Sequence, residues 1–137
     1  VSLALRGAMD LVVRHPNDRV DVIDYKRSRP RSDLSAYSFQ LRAYALAIVR
    51  RFPGSRVRAG VLFLGSEADP RWLTGGAGSH DLTAQDHADF ERALAALATK
   101  YARARTEDVW DPVAIDRCRA LHCGFVTACH RGKGKAK

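Results

Sequence analysis

The sequence has no long apolar run, no signal-peptide pattern at its start and only three cysteines. None of its hydrophobic stretches approaches the length of about 20 residues that a membrane-spanning helix requires. The number of cysteines is odd, and all three lie close to the C-terminus. These absences argue against a membrane protein and against a secreted disulfide framework, and they predict a cytoplasmic protein without a membrane partner.

Acidic residues are also in the minority, with 15 Asp and Glu against 23 Lys and Arg. The net charge of +8 favours a polyanionic partner such as nucleic acid. An anionic membrane surface, or RNA in a ribosome-like setting, would suit the same charge. The 137 residues, 46% of them hydrophobic, are sufficient for one domain with its own core.

Two apolar stretches around a turn signal predict a β-hairpin near the N-terminus. Residues 3–14 form the first strand, residues 15–18 (His-Pro-Asn-Asp) the turn, and residues 19–26 the second strand. The register of this hairpin decides whether Asp10 and Asp24 meet. A loop of two or four residues places their side chains on opposite faces of the sheet, whereas an odd loop or a bulge places them on the same face.

A helix and a buried strand are predicted to follow. After a basic loop at 27–33, Ser32 or Asp33 caps a helix over residues 34–52. The apolar stripe of this helix comprises Tyr37, Leu41, Tyr44 and Ile48. The nearly continuous apolar run at 57–64 indicates a central strand buried on both faces, connected to the hairpin by a right-handed crossover.

The remaining elements complete an α/β fold with a mixed sheet flanked by helices. A short strand is predicted around Trp72, before a Gly-rich loop. Thr83 and Asp86 form a capping box that opens a second helix. Its predicted apolar stripe comprises His87, Phe90, Leu94, Leu97 and Tyr101.

The end of the second strand carries the residues with the clearest chemistry. Asp24 and Lys26 are two positions apart and therefore share one face of the strand. Asp10, Asp24 and the backbone carbonyl of Tyr25 could hold Mg²⁺ or Mn²⁺, and Lys26 could position a water or stabilise charge on a phosphate. The alternative is a pair of charged positions on a half-exposed strand, but an acid at the end of so apolar a strand needs a reason.

Three segments, Gly7-Ala8-Met9-Asp10, Val22-Ile23-Asp24-Tyr25-Lys26 and Gln40-Leu41-Arg42-Ala43-Tyr44, resemble the nuclease domain of RecB-type proteins. That group comprises the PD-(D/E)XK nucleases at the C-termini of RecB, AddA, AddB and related helicase–nucleases. The matching motifs are G-x-x-D, D-Y-K and Q-x-x-x-Y, in that order, within residues 3–64.

The resemblance implies a restriction-endonuclease-like fold and Mg²⁺-dependent DNA cleavage, exonucleolytic, in the processing of double-strand breaks. It implies that Asp10 and Asp24 are metal ligands, that Lys26 is the catalytic lysine, and that Gln40 and Tyr44 are supporting site residues. The family also has an upstream helix with a His or Glu ligand. That helix would precede Val1, so we expect that the chain was cut from a longer polypeptide and that the fragment alone is not fully active.

A second candidate site comprises three cysteines, Cys118, Cys123 and Cys129, with His130 directly after them. Clustered thiolates suit zinc or an iron–sulfur cluster, although three incidental cysteines are the plain alternative. The resemblance implies a 4Fe–4S cluster whose fourth ligand lies outside the chain or is His122 or His130, with zinc as the alternative metal. Cys118 departs from the family pattern, which spaces the first two clustered cysteines as C-x2-C.

Three regions are predicted: a nuclease core at 1–112, a cysteine-bearing segment at 113–131 and a disordered basic tail at 132–137. The expected partners are DNA and a helicase, either in the same parent chain or in a partner subunit. A phosphate backbone would suit the arginines around the proposed site, which are Arg27, Arg29, Arg31, Arg42, Arg50 and Arg51. Two other function classes stay open: a non-catalytic DNA-binding or scaffold module, and a small metal-binding regulatory domain.

Overall fold

The computed structural model describes residues 4–30 and 33–130. Within them lies a four-stranded sheet of β1 (Leu11–Arg14), β2 (Arg19–Lys26), β3 (Arg56–Phe63) and β4 (Arg71–Trp72), in that spatial order. β1 is antiparallel to β2, β2 is parallel to β3, and β3 is antiparallel to β4. The mixed sheet confirms the predicted α/β class and is consistent with a restriction-endonuclease-like fold.

The hairpin has the odd register. Arg14 pairs with Val20 and Leu11 pairs with Ile23, so five residues, 15–19, separate the last pair, one more than the predicted turn. Arg19 already belongs to β2, where it pairs with Arg56 of β3. The same register, extended by one position, places Asp10 opposite Asp24. The first strand is shorter than predicted, because residues 4–9 have no regular structure and only residues 11–14 form ladder pairs. Residue 3 lies outside the described residues.

The predicted helix over residues 34–52 consists of two parts. A single 3₁₀ turn covers Ser35–Tyr37, and α1 covers Ser38–Arg51. Asp33 accepts a 2.8 Å hydrogen bond from the Ser35 N–H, but it is the N-cap of neither element: these positions are Leu34 and Tyr37, without side-chain caps. Ser32 lies outside the described residues. Pro53 and Gly54 end the helix, and Gly54 has a φ of 86°, which glycine adopts without strain.

The hydrophobic core lies between α1 and one face of the sheet. It contains Val20 and Val22 of β2, Val57, Ala59, Val61 and Phe63 of β3, and Leu41, Ala45 and Ile48 of α1. Each large side chain buried there contributes about 1.5–3 kcal/mol. Because side chains alternate along a strand, Asp24 and Lys26 point to the same face as Val20 and Val22. The core therefore aims both charged residues toward the N-terminal half of α1.

α2 (Ala84–Glu107) begins with the predicted capping box. Asp86 accepts a hydrogen bond from the Thr83 N–H at 2.8 Å, and Thr83 Oγ1 accepts one from the Asp86 N–H at 3.1 Å. The predicted apolar stripe is only partly correct. Phe90 is buried, but Leu97 is 50% exposed and Tyr101 is 51% exposed.

The chain divides into two compact units, one ending at Leu97 and the other starting at Ala98. The sheet and α1 belong to the first unit, and α3 (Ile115–Ala120) and α4 (Val126–Cys129) to the second. The division into a nuclease core, a cysteine segment and a tail stays a prediction, and residues 131–137 lie outside the described part. None of the described helices combines the length and apolar character that crossing a membrane requires.

Candidate active site

Asp24 is a buried carboxylate at the end of β2, only 3% exposed. Its Oδ1 accepts a 3.1 Å hydrogen bond from Gln40 Nε2 on α1. Its Oδ2 lies 2.6 Å from Lys26 Nζ. The strand places both charges on one face, and the crossover helix supplies the third group.

The second oxygen of Asp24 has no well-formed hydrogen bond among the described residues. Its ion-pair partner is the Lys26 ammonium, at 2.6 Å. An ionised carboxylate has about four lone-pair sites on its two oxygens, so one ion-pair partner leaves room on this oxygen for another. Such an atom is suited to accept a cation as a further partner.

Lys26 is half-buried beside this carboxylate. The contact with Asp24 raises the pKa of Lys26 above its usual value, and this effect outweighs burial, which acts in the opposite direction. Nζ also lies 5.4 Å from the centre of the Tyr37 ring, where a cation is favourable. Lys26 is therefore an ammonium at neutral pH, suited to stabilise negative charge rather than to remove a proton.

Asp10 approaches from the segment before β1. Its Oδ2 accepts a 2.8 Å hydrogen bond from the backbone N–H of Tyr25, the residue between Asp24 and Lys26. On the other side of β2, the carbonyl oxygen of Lys26 accepts a hydrogen bond from the Leu64 N–H, just after β3. Successive carbonyl groups along a strand point to opposite neighbouring strands. The carbonyl of Tyr25 therefore points to the side on which Asp10 lies. Asp10 thus contacts the residue next to Asp24, and the joint role of these three oxygen groups as cation ligands stays a prediction.

Gln40 and Tyr44 connect the two acidic segments. Gln40 Nε2 donates to Asp24 and also, at 2.8 Å, to the Tyr44 hydroxyl. That hydroxyl in turn donates a 2.5 Å hydrogen bond to the carbonyl oxygen of Ala8. A Cβ atom at Gly7 would lie 3.1 Å from the Tyr44 ring, so glycine permits this close approach. The polar side of α1 thus holds both Asp24 and the segment that carries Asp10.

A second buried acid, Asp21, was not identified from the sequence. It is 5% exposed and accepts two hydrogen bonds from Arg58, at 2.9 and 2.7 Å, and lies 2.8 Å from His15 Nε2. Burial acts to raise the pKa of Asp21, but hydrogen bonds from Arg58 and His15 outweigh it and lower the pKa. Its position between Val20 and Val22, on the opposite face of β2, is the signal that could have revealed it.

The cysteine segment brings its thiols near one another. Cys118 is buried, and its Sγ lies 3.8 Å from His130 Nε2. Burial, and then the neighbouring Cys123 and Cys129, raise the pKa of Cys118. Across residues 4–30 and 33–130, however, no three His, Cys, Asp or Glu side chains are grouped to hold a metal ion. The iron–sulfur or zinc assignment therefore stays a prediction.

The arginines expected around the site have different surroundings. Arg27 and Arg29 are exposed just beyond β2, and Arg31 lies outside the described residues. Arg42 donates to Ser38 and lies near Asp86, and Arg50 pairs with Glu91. Arg51 instead lies over the ring of Phe52, at the far end of α1. The contacts of Arg42, Arg50 and Arg51 therefore differ from one another.

The family model of the PD-(D/E)XK nuclease superfamily matches residues 1–130, nearly the whole chain. Members of this superfamily are in general metal-dependent nucleases and typically use Mg²⁺ or Mn²⁺. Neither a curated protein nor a solved structure matches the chain. The match and the mixed sheet agree, and the chain belongs to the PD-(D/E)XK nuclease superfamily.

Proposed function

We propose that this chain is a RecB-type nuclease domain that hydrolyses DNA phosphodiesters with Mg²⁺ or Mn²⁺. The observation that carries the proposal is the placement of the buried Asp24 carboxylate 2.6 Å from Lys26 Nζ, with Asp10 bonded to the backbone N–H of Tyr25 between these two residues. Two carboxylates beside a lysine ammonium form the kind of donor set that suits a divalent cation and a phosphate.

Asp10, Asp24 and the Tyr25 carbonyl would hold the cation, with water and phosphate oxygens as the remaining ligands, because Mg²⁺ prefers oxygen and keeps several waters. The bound cation would polarise the scissile phosphate and lower the pKa of an attacking water. Lys26 would stabilise the negative charge that develops on the phosphate, since its ammonium is protonated and fixed on a strand.

Gln40 and Tyr44 act as positioning residues in this proposal. Gln40 fixes Asp24 Oδ1 and so leaves Oδ2 facing Lys26. Tyr44 fixes the Ala8 carbonyl, two residues before Asp10. Without these bonds the two carboxylates would keep their chemistry but lose their relative placement, which catalysis depends on.

The biological setting that we propose comes from the resemblance. It is exonucleolytic cleavage in the cytoplasm, together with a helicase in the same polypeptide or in a partner subunit, during double-strand break repair and recombination. The motifs G-x-x-D, D-Y-K and Q-x-x-x-Y at residues 7–10, 24–26 and 40–44 support the RecB type.

Degradation of linear double-stranded DNA in Mg²⁺ tests the catalytic proposal. We expect Lys26→Ala to lower the rate by about a hundredfold, because a preorganised charge at the transition state is lost. Lys100→Ala is the matched control, since Lys100 is exposed on α2 and should leave the rate unchanged. Equal rates for wild type and Lys26→Ala would contradict the assignment.

A non-catalytic DNA-binding or scaffold module on the same fold is the second candidate. It is favoured by the absence, within the described residues, of a third acidic or His ligand beside Asp10 and Asp24. It predicts DNA binding that is the same with Mg²⁺ or with a chelator, and no cleavage by wild type.

The cysteines form a separate part of the proposal, on which no step of DNA cleavage depends. Cys118, Cys123 and Cys129 would bind an iron–sulfur cluster, or zinc, with a fourth ligand outside the chain. Metal analysis and visible absorption of anaerobically purified protein test this. A metal content that is the same for wild type and for the Cys123→Ala, Cys129→Ala double variant would exclude it.

A further inference from the structure

Two arginines that are distant in sequence lie against one phenylalanine ring. Arg14 ends β1, and its guanidinium carbon is 4.5 Å from the centre of the Phe52 ring. Arg51 ends α1, and its guanidinium carbon is 5.2 Å from the same centre. Both arginines are exposed. We call Arg14, Arg51 and Phe52 the Phe52 cluster.

This cluster carries two positive charges. In the part of the chain that the structure describes, neither guanidinium forms an ion pair, whereas Arg50 pairs with Glu91 and Arg56 with Asp81. From the two ring distances, the charges are at most about 10 Å apart, so salt at about 0.1 M does not fully screen their repulsion. The arrangement would be relieved by an anion between or beside the two guanidiniums.

The ring that supports the two arginines is held firmly. Phe52 packs against the hydrophobic core. Its N–H donates a 2.8 Å hydrogen bond to the Ile48 carbonyl, and its own carbonyl accepts from the N–H of Ser55 at 3.2 Å. Stacking on a fixed ring restricts the arginine side chains before any ligand binds, and this lowers the entropic cost of binding.

We propose that the Phe52 cluster is a phosphate-binding platform for the DNA backbone, separate from the cleavage site. Arginine guanidiniums match phosphate oxygens in geometry and charge, and a net charge of +8 suits a polyanion. Arg14 pairs with Val20, four positions from Asp24 along β2. That separation is about 13 Å, about the length of four base pairs. The platform would contact phosphates several nucleotides from the scissile bond.

The inference rests on the proposed function for the identity of the ligand, but its test does not require cleavage. Fluorescence anisotropy with a labelled duplex in EDTA, over a range of salt, measures how many phosphates the protein contacts. The Arg14→Ala, Arg51→Ala double variant should bind about tenfold or more weakly, and its salt slope should be smaller by about two. Arg51→Gln alone should reduce the slope by about one.

The matched control removes two other exposed arginines, Arg92 and Arg103, which already face Asp89 and Glu107. The salt slope of this control variant should equal that of wild type. Arg14→Lys, Arg51→Lys keeps both charges and should keep the wild-type slope. Equal slopes for the alanine double variant and the control, or no DNA binding by wild type, would overturn the platform.

A small substrate separates this inference from the proposed function. Bis(p-nitrophenyl) phosphate occupies only the cleavage site, so its Mn²⁺-dependent hydrolysis should be the same for wild type and the alanine double variant. If wild type does not hydrolyse it, the proposed function fails and the salt slopes still decide on the platform. If the double variant hydrolyses it more slowly, the arginines act on the cleavage site and the platform is wrong.

Discussion

The hydroxyl of Tyr44 donates a 2.5 Å hydrogen bond to the carbonyl oxygen of Ala8, across 36 residues of chain. This bond ties the segment before β1 to α1. The same hydroxyl accepts a bond from Gln40, which also holds Asp24. One side of α1 therefore sets the position of Asp24 directly and that of Asp10 through two intervening residues.

Removing this hydroxyl should affect placement more than folding. For Tyr44→Phe we expect a loss of about 1–3 kcal/mol in the free energy of unfolding, the usual value of the two hydrogen bonds that the hydroxyl makes. We expect kcat for DNA cleavage to fall about tenfold with little change in KM, because substrate contacts remain while Asp10 is less well placed. Tyr101→Phe, on an exposed residue of α2, is the control. An equal fall in kcat for Tyr44→Phe and Tyr101→Phe would contradict the role of the Tyr44–Ala8 bond.

Arg58 supports a buried carboxylate and should be important for stability. Arg58→Ala leaves Asp21 buried without its main partner, which typically costs about 3–5 kcal/mol. The exposed pair of Arg103 and Glu107 is the comparison, and Arg103→Ala should cost less than about 1 kcal/mol. Urea denaturation measures both. Similar small losses would mean that the Asp21 network contributes little.

Asp86 should make stability depend on pH in acid. Burial acts to raise the pKa of Asp86, but bonds from the Gly76 N–H and from Thr83 outweigh it, and the pKa lies below its usual value. A group with a depressed pKa stabilises the folded state above its unfolded pKa, and that contribution is lost as the pH falls through the folded pKa. Wild type should therefore lose more stability than Asp86→Asn between about pH 5 and pH 2.

The control for this measurement is Asp89→Asn, since Asp89 is exposed on the same helix. Its acid-induced loss should follow that of wild type. If the free energy of unfolding falls with pH in the same way for wild type and Asp86→Asn, protonation of Asp86 does not affect stability.

Gly60 allows β4 to pack against β3. A Cβ atom there would lie 2.6 Å from the Arg71 carbonyl oxygen and 2.8 Å from Trp72 Cε3. Gly60→Ala should cost about 1–3 kcal/mol by overpacking. A Cβ atom at Gly124 would have no other atom within 4 Å. Gly124→Ala should therefore change the free energy of unfolding by less than about 1 kcal/mol. Thermal unfolding of both variants checks the difference.

The strands with strong apolar patterns were predictable. β2 has the predicted bounds, and β3 differs by one residue at each end, because burial on both faces gives an unbroken apolar run. The sequence allowed either an even or an odd hairpin register and could not decide between them. The choice depends on the loop at 15–19, which is closed by a hydrogen bond from His15 to Arg19.

Other features depend on contacts between distant residues. The first strand was predicted from residue 3, but the Asp10 side chain, rather than a backbone group, bonds to Tyr25, and Tyr44 holds Ala8. The Asp21–Arg58 pair joins residues 37 apart, which no local pattern reveals. Leu97 and Tyr101 fit a helical stripe yet are exposed, because periodicity identifies a face without identifying what covers it.

Titration calorimetry with Mn²⁺ tests the cation site at Asp24 most directly. Wild type should bind the metal, Asp24→Asn should not, and Lys26→Ala should still bind, because Lys26 is proposed to act on the phosphate rather than on the cation. Asp89→Asn should bind like wild type. Equal binding by wild type and Asp24→Asn, or no binding by wild type, would contradict the cation site that the proposed function requires.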